Sequence, residues 1–452
     1  MKQNILSYYE LEKILKIEET VNINEDMKFN FIKTVKYIDS PEKSSVLYFP
    51  IYLNMDDDSG GWYPMNSDTR KKVNEYSNEH PEYTYVLDKE TYSNLTNDKI
   101  KVIVVKDIME SIDKLFDYII NNRTFETILV TGSVGKTTTV GLIKDVISDN
   151  VLRIYSKRIT PIILKTNIIN YLTNDIKYLV LEAGMFFRHH VKYFSDTLKP
   201  IIGICLDIVP EHLGIDNINN VRDITICKTE VFRYSKYALI NMEDKELSKI
   251  KFIDNKMIYD NYQMDSKVKE VYDISKLNPN INLYIKTYIS KLEFGAAYYV
   301  GKILNIPEEL ILKRLNNSVP VENRVNRNIL FGREIIFDGE VSGVARFSLF
   351  TNHFYDKAVL VIRYLTLGGE EAEDYSKYPQ YFNRFDKVYL FDDLKNLDVL
   401  KFDNVEIVSN HDFIKNINKD TQIFYHYGSF YRKYDDFNIE NLDRIDIWKR
   451  YY

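Results

Sequence analysis

Residues 127–147 constrain the fold of this chain more than any other stretch. They begin with the apolar run Thr127–Val130, pass through a turn that contains glycine, and then have the composition of a helix from about Lys136 to Ile147. A continuous apolar run of this length is typical of a parallel strand that is buried on both faces. The order of strand, turn and helix predicts a mostly parallel sheet covered by helices.

The turn itself, residues 131–139, reads T-G-S-V-G-K-T-T-T and predicts a phosphate-binding loop. A loop between a strand and a helix can direct backbone N–H groups and the helix N-terminus at phosphate oxygens. Lys136 would reach the β- and γ-phosphates, and Thr137 or Thr138 would offer a hydroxyl to phosphate-bound Mg²⁺. The common pattern G-x-x-x-x-G-K-S/T is not met, because Val130 stands at its first glycine. The residues expected to bind the nucleotide within this loop are Gly132, Ser133, Gly135, Lys136, Thr137 and Thr138.

Length and further apolar runs predict an α/β fold with three domains. At roughly 150 residues per domain, 452 residues correspond to about three. We expect a small N-terminal α/β domain that binds substrate (1–120), a central parallel-sheet ATPase domain with the phosphate loop (121–327), and a C-terminal Rossmann-like α/β domain (328–452). The runs that predict strands are 101–105, 127–130, 178–181, 201–204, 237–240, 334–337, 358–362, 387–391 and 422–425, and residues 108–121 have helical spacing.

Composition excludes several classes of protein. The 60 basic and 66 acidic residues give a formal net charge of −6, which argues against nonspecific binding to nucleic acid or to anionic membranes. No window reaches the roughly 18 apolar residues that a membrane span needs, and the N-terminal residues lack the apolar core of a signal peptide. Cys205 and Cys227 are too few for a disulfide framework. We therefore expect a cytoplasmic protein.

The loop T-G-x-x-G-K-T-T resembles the ATP-binding loop of the Mur ligases and their relatives, the folylpolyglutamate and poly-γ-glutamate synthases. Residues 178–184, Y-L-V-L-E-A-G, are similar to the strand of this family that ends in a glutamate, and the resemblance implies that Glu182 binds Mg²⁺. Residues 204–214 resemble the segment I-T-N-I-x-P-D-H-L, which implies a role for His212 in binding metal or substrate. In this segment Asp207 and Glu211 replace the usual Asn and Asp.

Three more segments follow in the order of the family. Residues 226–232 resemble the helix A-K-x-E-I-F, whose lysine is carbamoylated in many members, and this implies the same for Lys228. Residues 321–324 resemble the linker whose arginine reaches the γ-phosphate, which implies that role for Arg324. Residues 332–338 resemble a strand whose last residue, here Asp338, holds the ribose of ATP. The chain then departs from the family, because D-G-E-V-S-G-V replaces D-x-Y-N-A-N-P.

The C-terminal part of the chain resembles the family more closely than the N-terminal part does. Residues 365–371 and 425–429 are similar to M-L-E-L-G-E and V-K-G-S of the ligase that adds D-Ala-D-Ala. Residues 37–41 stand where muropeptide ligases have D-S-R, but the uridine-binding glycines that follow are not visible. Trp62 and Tyr63 could line a different substrate pocket or pack inside the domain.

The resemblance implies an ADP-forming ligase that uses ATP and Mg²⁺ to join a carboxylate to an amine through an acyl phosphate. The carboxylate substrate would be a muropeptide or a specialised peptide or natural-product precursor, and the amine would be an amino acid or a dipeptide. Two alternatives remain open: a P-loop ATPase that acts as a conformational switch, and a catalytically degenerate Mur-like module that binds nucleotide or a partner. The oligomeric state is not predicted. The expected catalytic residues are Lys136, His212, Lys228 and Arg324, and the expected metal ligands are Thr137, Glu182, His212 and Lys228.

Overall fold

The computed structural model describes most of the chain. The chain divides into two compact units. The described residues are 3–34, 45–51, 67–154, 159–185, 187–210, 213–214, 216–318, 325–338, 347, 351–363, 379–392, 402–426 and 442–443. Unit 1 consists of Met1–Glu126 and Asn150–Leu179, and unit 2 consists of Thr127–Asp149 and Val180–Tyr452.

Strands occur in both units. In chain order they are β1 (Leu6–Ser7), β2 (Ile17–Val21), β3 (Lys28–Phe29), β4 (Phe31–Thr34), β5 (Val46–Phe49), β6 (Thr84–Asp88), β7 (Lys101–Val105), β8 (Glu126–Thr131), β9 (Val151–Ile154), β10 (Tyr178–Glu182), β11 (Ile202–Cys205), β12 (Tyr237–Ile240), β13 (Lys251–Ile253), β14 (Lys256–Tyr259), β15 (Tyr262–Asp265), β16 (Glu270–Asp273), β17 (Asn326–Leu330), β18 (Arg333–Asp338), β19 (Ala358–Ile362), β20 (Lys387–Phe391), β21 (Val405–Val408), β22 (Gln422–His426) and β23 (Leu442–Asp443).

Helices alternate with these strands through much of the chain. They are α1 (Tyr8–Ile14), α2 (Ser67–Glu79), α3 (Lys89–Ser93), α4 (Ile108–Asn121), α5 (Lys136–Ile147), α6 (Pro161–Tyr171), α7 (His190–Leu198), α8 (Val221–Thr229), α9 (Tyr288–Ile303) and α10 (Glu308–Asn316), with a further helical turn at Pro379–Phe382. Within the described ranges, no helix has the length and apolar character needed to cross a membrane.

Unit 1 contains a five-stranded sheet with the strand order β2-β7-β6-β5-β4. Strands β4 to β7 pair in parallel, and β2 pairs antiparallel with β7 at one edge. Helix α6 is attached to β4 by Asn170, whose side chain accepts a hydrogen bond from the N–H of Ile32 (2.7 Å) and donates one to its carbonyl oxygen (2.9 Å). The two chain segments of this unit are therefore joined by buried hydrogen bonds.

Helix α4 shows why the sequence folds as it does within unit 1. Its start is fixed by Asp107, whose side chain accepts a hydrogen bond of 2.9 Å from the N–H of Glu110. This satisfies one of the N–H groups that a helix leaves without an internal partner. The side chains at the helical spacing of the sequence form its buried face: Ile108, Ile112, Leu115 and Ile119.

The central sheet of unit 2 has the strand order β16-β12-β11-β8-β10. Strands β8, β11, β12 and β16 pair in parallel, and the register places Thr131 of β8 opposite Cys205 of β11. Just beyond β10, the N–H of Ala183 donates to the carbonyl oxygen of Val130 (2.8 Å). The carboxyl ends of β8, β10 and β11 therefore lie at one edge of the sheet. In open α/β folds, ligands bind outside this edge.

A second sheet in unit 2 is formed by the C-terminal strands, in the order β21-β20-β19-β22-β18-β17-β23. Strands β18 to β22 pair in parallel, and β17 is antiparallel to both of its neighbours. Apolar clusters that include Leu360 and Val361 lie on its two faces, because successive side chains of a strand point to opposite sides. A small antiparallel sheet, β13-β14-β15, lies between β12 and β16 in the chain.

The predicted α/β class is confirmed, and each predicted apolar run contains or overlaps a strand. The run 201–204 is shifted by one residue, since β11 is Ile202–Cys205. The sequence analysis did not predict the small sheet β13-β14-β15 or the hairpin of β17 and β18. The domain boundaries at residues 120 and 327 remain predictions.

Candidate nucleotide-binding site

The loop predicted at residues 131–139 connects β8 to α5, and two glycines determine its shape. Gly132 and Gly135 have φ values of +143° and +84°, where residues with side chains are strained. The surrounding space is closed as well: a Cβ on Gly132 would lie 2.8 Å from Oδ1 of Asp207, and one on Gly135 would lie 2.9 Å from Oε1 of Glu293. A residue with a side chain would be strained at both positions, and the two glycines let the backbone of the loop approach a ligand closely.

Lys136 is the first residue of α5 and lies over this loop. Its Nζ donates hydrogen bonds to the carbonyl oxygens of Gly132 (2.7 Å) and Ser133 (3.1 Å). Gly135 is the N-cap of the helix and supplies no side-chain cap. The first N–H groups of a helix have no acceptor within the helix, and together with the helix dipole they favour anions. The loop therefore combines an ammonium group with a helix N-terminus.

Thr137 and Glu182 bring a hydroxyl and a carboxylate together beside the loop. The Oγ1 of Thr137 donates a hydrogen bond of 2.7 Å to Oε2 of Glu182, the last residue of β10. Both side chains are buried. The sequence left the choice between Thr137 and Thr138 open, and Thr137 is the residue whose hydroxyl contacts the carboxylate. Thr138 is buried at the next position of α5.

Asp207 joins the segment after β11 to the same loop. Its Oδ1 accepts hydrogen bonds from the N–H groups of Ser133 (2.9 Å) and Val134 (3.2 Å). The side chain is buried, and Asp244 holds the next residue, since Oδ2 of Asp244 accepts from the N–H of Ile208 (3.0 Å). A carboxylate that accepts hydrogen bonds from backbone N–H groups in a buried site forms stronger hydrogen bonds than a neutral acceptor does.

Lys228 lies in the last turn of α8 and is only 1% exposed. Its position relative to the sheet is indicated by Cys205, the last residue of β11. Burial raises the pKa of the Cys205 thiol, the charges of Lys228 and Lys136 lower this pKa, and the charge of Asp207 raises it. These three charged groups therefore act on the same end of β11, close to the phosphate loop.

A buried carboxylate follows Lys228 after one residue. Glu230 is 2% exposed, and Nδ1 of His189 lies 3.0 Å from its Oε1. Burial raises the pKa of the Glu230 carboxyl, while the hydrogen bond and charge of His189 act in the opposite direction. His189 precedes α7 and has a φ of +63°. The pair therefore connects the segment after β10 to the end of α8.

The remaining predicted nucleotide ligand, Asp338, ends a strand of the C-terminal sheet. The register of β18 and β22 places Asp338 opposite His426. Beside them, the backbone N–H of Arg363 donates to the carbonyl oxygen of His426 (2.9 Å), and the guanidinium of Arg363 lies 4.8 Å from the ring centre of Phe391. Asp338 is therefore at a strand end, as predicted, and its role in holding ribose stays a prediction.

Several predicted residues lie outside the described residues. They include two of the expected catalytic residues, His212 and Arg324. The others are Glu211, Trp62, Tyr63 and residues 37–41, 339–344, 365–371 and 427–429. Their predicted roles remain predictions.

The sequence patterns assigned no role to Asp207, Glu230, Glu293 or His189. For Asp207 a signal was present, because it is an acidic residue that follows an apolar run, as Glu182 is. The other three depend on contacts between distant parts of the chain. Glu293, for example, lies in α9 and approaches Gly135 across 158 positions of sequence, which no local pattern predicts.

The part of the chain that forms this site is similar to a known protein family. The family model described as the Mur ligase middle domain matches residues 130–282, which include the loop, Glu182, Asp207 and Lys228. A UDP-N-acetylmuramoyl-tripeptide--D-alanyl-D-alanine ligase of Rickettsia prowazekii is 29% identical over 166 residues, covering 34% of this chain and 35% of that protein. The chain thus matches about a third of the length of this curated relative.

Solved structures share the fold over a greater length. A MurF from Acinetobacter baumannii has a TM-score of 0.64 at 14% identity and covers 95% of this chain and 97% of its own. A MurF ligase from Thermotoga maritima in complex with ADP has a TM-score of 0.59 at 16% identity and covers 81% and 90%. The fold is that of the multidomain α/β proteins among these solved structures. The resemblance to the Mur ligases found in the sequence is confirmed for residues 130–282, which match the middle domain of that family at low identity.

Proposed function

We propose that the protein is an ATP-dependent ligase that joins a carboxylate to an amine and releases ADP and phosphate. The observation that carries this proposal is the buried hydrogen bond between Thr137 and Glu182 at the phosphate loop. It brings a hydroxyl and a carboxylate together beside the loop, and this pair supports binding of a phosphate-bound cation there. The family match and the loop geometry described above support the same activity.

The loop and Lys136 would bind the phosphates of ATP. The N–H groups at the start of α5 would donate to phosphate oxygens, and the ammonium of Lys136 would move from the loop carbonyls to the β- and γ-phosphates. Arg324 would add a positive charge at the γ-phosphate, and Asp338 would hold the ribose. These four contributions position the γ-phosphorus, and positioning together with electrostatic stabilisation accounts for most of the catalysis of phosphoryl transfer.

The oxygen atoms of Thr137 and Glu182 fit Mg²⁺. This ion prefers oxygen ligands, and in nucleotide sites it is usually held by one or two protein oxygens together with phosphates and water. The buried pair at 2.7 Å is a donor set of this kind. Bound there, Mg²⁺ would neutralise charge on the β- and γ-phosphate oxygens. In the described part of the chain, no three His, Cys, Asp or Glu side chains gather as a metal site.

The reaction would proceed in two steps. A substrate carboxylate oxygen attacks the γ-phosphorus, the bond to the bridging oxygen breaks, and ADP leaves with its electron pair. The amine nitrogen then attacks the carbonyl carbon of the acyl phosphate, the tetrahedral intermediate expels phosphate, and the nitrogen loses a proton to form the amide. Because water would hydrolyse the acyl phosphate, exclusion of water from the site is part of the mechanism.

Lys228 and His212 would complete the site for the carboxylate. As a carbamate, formed from the amine and CO₂ with release of a proton, Lys228 would present an anion in place of a cation. Such an anion accepts a divalent cation, which an ammonium does not. His212 would act on the metal or substrate side. The substrates would be a muropeptide or a specialised peptide or natural-product precursor, and an amino acid or dipeptide.

Release of ADP and phosphate tests this function. Purified protein with MgATP would be offered UDP-muramyl peptides, amino acids and dipeptides, with Lys136→Ala and Glu182→Ala as controls. We expect release that needs both a carboxylate and an amine and that is lost in both variants. Release at full rate with ATP alone would instead identify a switch ATPase. ATP binding without release across the panel would indicate either a degenerate module or a substrate outside the panel.

A further inference from the structure

The phosphate loop already contains an internal anion. The carboxylate of Asp207 is 2% exposed and lies at hydrogen-bond distance from two loop N–H groups, those of Ser133 (2.9 Å) and Val134 (3.2 Å). Its Oδ1 is also the atom that a side chain on Gly132 would strike, at 2.8 Å. The carboxylate is therefore packed against the first half of the loop.

The backbone strengthens this connection on both sides. The N–H of Ser133 also approaches the carbonyl oxygen of Asp207 (3.3 Å), and the N–H of Val209 donates to Oγ of Ser133 (3.1 Å). One step earlier, the N–H of Leu206 donates to the carbonyl oxygen of Thr131 (3.1 Å). Residues 206–209 and 131–134 thus hold each other in register beyond the end of the sheet, and Asp207 supplies the side-chain contacts of this arrangement.

The charge of Asp207 has a second effect. A buried carboxylate is stabilised by the loop N–H groups, by the N-terminus of α5 and by the nearby ammonium of Lys136. The phosphates of a nucleotide would be stabilised by the same positive potential. Like charges that share one low-dielectric site repel each other, and at an effective dielectric constant near 20 one pair of unit charges roughly 10 Å apart repels strongly enough to change affinity by about tenfold or more.

We propose that Asp207 is a positioning residue that fixes the phosphate loop through its two N–H bonds and weakens the binding of polyphosphates through its negative charge. The inference rests on the proposed function only in requiring that the loop binds nucleotide phosphates. It concerns affinity and not the identity of the carboxylate or amine, so it can be tested without knowing the substrates.

Asp207→Asn separates the two effects. The amide oxygen of asparagine can accept both N–H bonds, so the loop keeps its shape while the charge is lost. We expect MgATP, ADP and inorganic tripolyphosphate to bind Asp207→Asn about tenfold more tightly than the wild type. Adenosine has no phosphate, and its affinity should be the same for both proteins. Calorimetric titration measures all four ligands.

Two further variants provide the controls. Asp207→Ala removes the charge and the acceptor together, and we expect it to bind tripolyphosphate more weakly than Asp207→Asn does, because the loop loses its anchor. Asp244→Asn is the matched control. It also removes one negative charge, but from the carboxylate that accepts the N–H of Ile208, the residue after Asp207. We expect a much smaller change in tripolyphosphate affinity for this variant. Circular dichroism and thermal unfolding confirm that each variant is folded.

The outcomes are distinguishable. Tighter binding of the phosphate-bearing ligands by Asp207→Asn, without a change for adenosine, supports the inference. Equal or weaker binding of tripolyphosphate by folded Asp207→Asn overturns it and leaves the ligase proposal intact. Equal tightening by Asp244→Asn also overturns it, because the effect would then be one of general charge. If neither the wild type nor Asp207→Asn binds MgATP or tripolyphosphate, both the proposed function and this inference are wrong.

Discussion

The hydroxyl of Thr137 donates a hydrogen bond of 2.7 Å to the carboxylate of Glu182, and each residue is 6% exposed. Thr137 lies in the first turn of α5, the helix that follows β8, and Glu182 is the last residue of β10. The contact therefore joins the first turn of a helix to the end of a strand. In a site that binds MgATP, both oxygens would turn toward the cation.

Glu182→Gln should weaken the binding of Mg²⁺ and so raise the Mg²⁺ concentration that the reaction needs. The amide keeps a hydrogen-bond partner for Thr137 but removes the negative charge, so we expect the Mg²⁺ concentration for half-maximal ADP release to rise by about tenfold or more. Thr137→Val should act in the same direction. Thr139→Val is the matched control, because its hydroxyl donates to the carbonyl oxygen of Gly135 within the helix (2.9 Å). A shift of equal size in the control would contradict the assignment.

Gly135→Ala should weaken the binding of ATP. The added methyl group meets Oε1 of Glu293 at 2.9 Å in addition to the strain of a positive φ. Gly332→Ala shares the positive φ, of +72°, but nothing lies within 4 Å of the added atom. We expect both variants to lose about 1–2 kcal/mol of stability from backbone strain, and only Gly135→Ala to lose more than about tenfold in ATP affinity. Thermal unfolding and ATP titration measure the two effects.

The stability of the protein should depend on pH through Glu230. Because burial raises the pKa of this carboxyl above its ordinary value of 4.5, the folded state binds the proton more strongly than the unfolded state does. The contribution of Glu230 to stability is then fully present below pH 4.5 and is lost as pH rises through the raised pKa. Glu230→Gln should remove this loss. The difference in melting temperature between variant and wild type should therefore increase from pH 4.5 upward, and a constant difference would contradict the prediction.

Lys228→Met should stop turnover while the protein still binds ATP. Methionine has a similar volume, so the buried position stays filled, but it cannot form a carbamate. We expect the rate of ADP release to fall by about 100-fold or more, as is typical when an electrostatic group of a reaction site is removed. If the carbamate forms, bicarbonate should raise the wild-type rate, and Lys228→Arg should be as inactive as Lys228→Met. Full activity of either variant would exclude a catalytic role.

Asn170→Ala should destabilise unit 1. Two hydrogen bonds to the backbone of Ile32, of 2.7 and 2.9 Å, are lost, and the buried N–H and carbonyl groups of Ile32 are left without this partner. We expect a loss of about 2–3 kcal/mol in the free energy of unfolding, measured with urea. Asn167→Ala in the same helix removes only a local bond to the carbonyl oxygen of Ile163 (2.8 Å) and should cost much less. Equal losses would contradict the importance of the bridge.

The sequence predicted the parts of the fold that depend on local pattern. Helix α4 was predicted with the bounds that the structure has, because its apolar side chains recur at helical spacing between Asp107 and Asn122. Helix α5 was predicted equally well, since a phosphate loop determines where it begins. The sheet β13-β14-β15 was missed because its strands are short and partly exposed, and their apolar residues are too few to stand out from a loop.

The candidate site shows the same division. Gly132, Lys136 and Thr137 belong to one contiguous loop, and Glu182 follows an apolar strand, so each was found by a local pattern. The contact between His189 and Glu230 depends on how the segment after β10 meets α8, which requires the three-dimensional fold.

Unit 1 is built from two chain segments whose junctions meet at one residue. The carbonyl oxygen of Lys177 accepts a hydrogen bond from the N–H of Glu126 (2.9 Å), and the backbone N–H of Lys177 donates one to the carbonyl oxygen of Asn150 (2.8 Å). The chain thus leaves unit 1 and re-enters it at neighbouring points. The intervening residues 127–149 belong to unit 2 and contain the phosphate loop. A gene that simply stops after Glu126 would encode an incomplete module. One that joins Glu126 to Asn150 through a short turn and continues to Leu179 would encode both segments of unit 1.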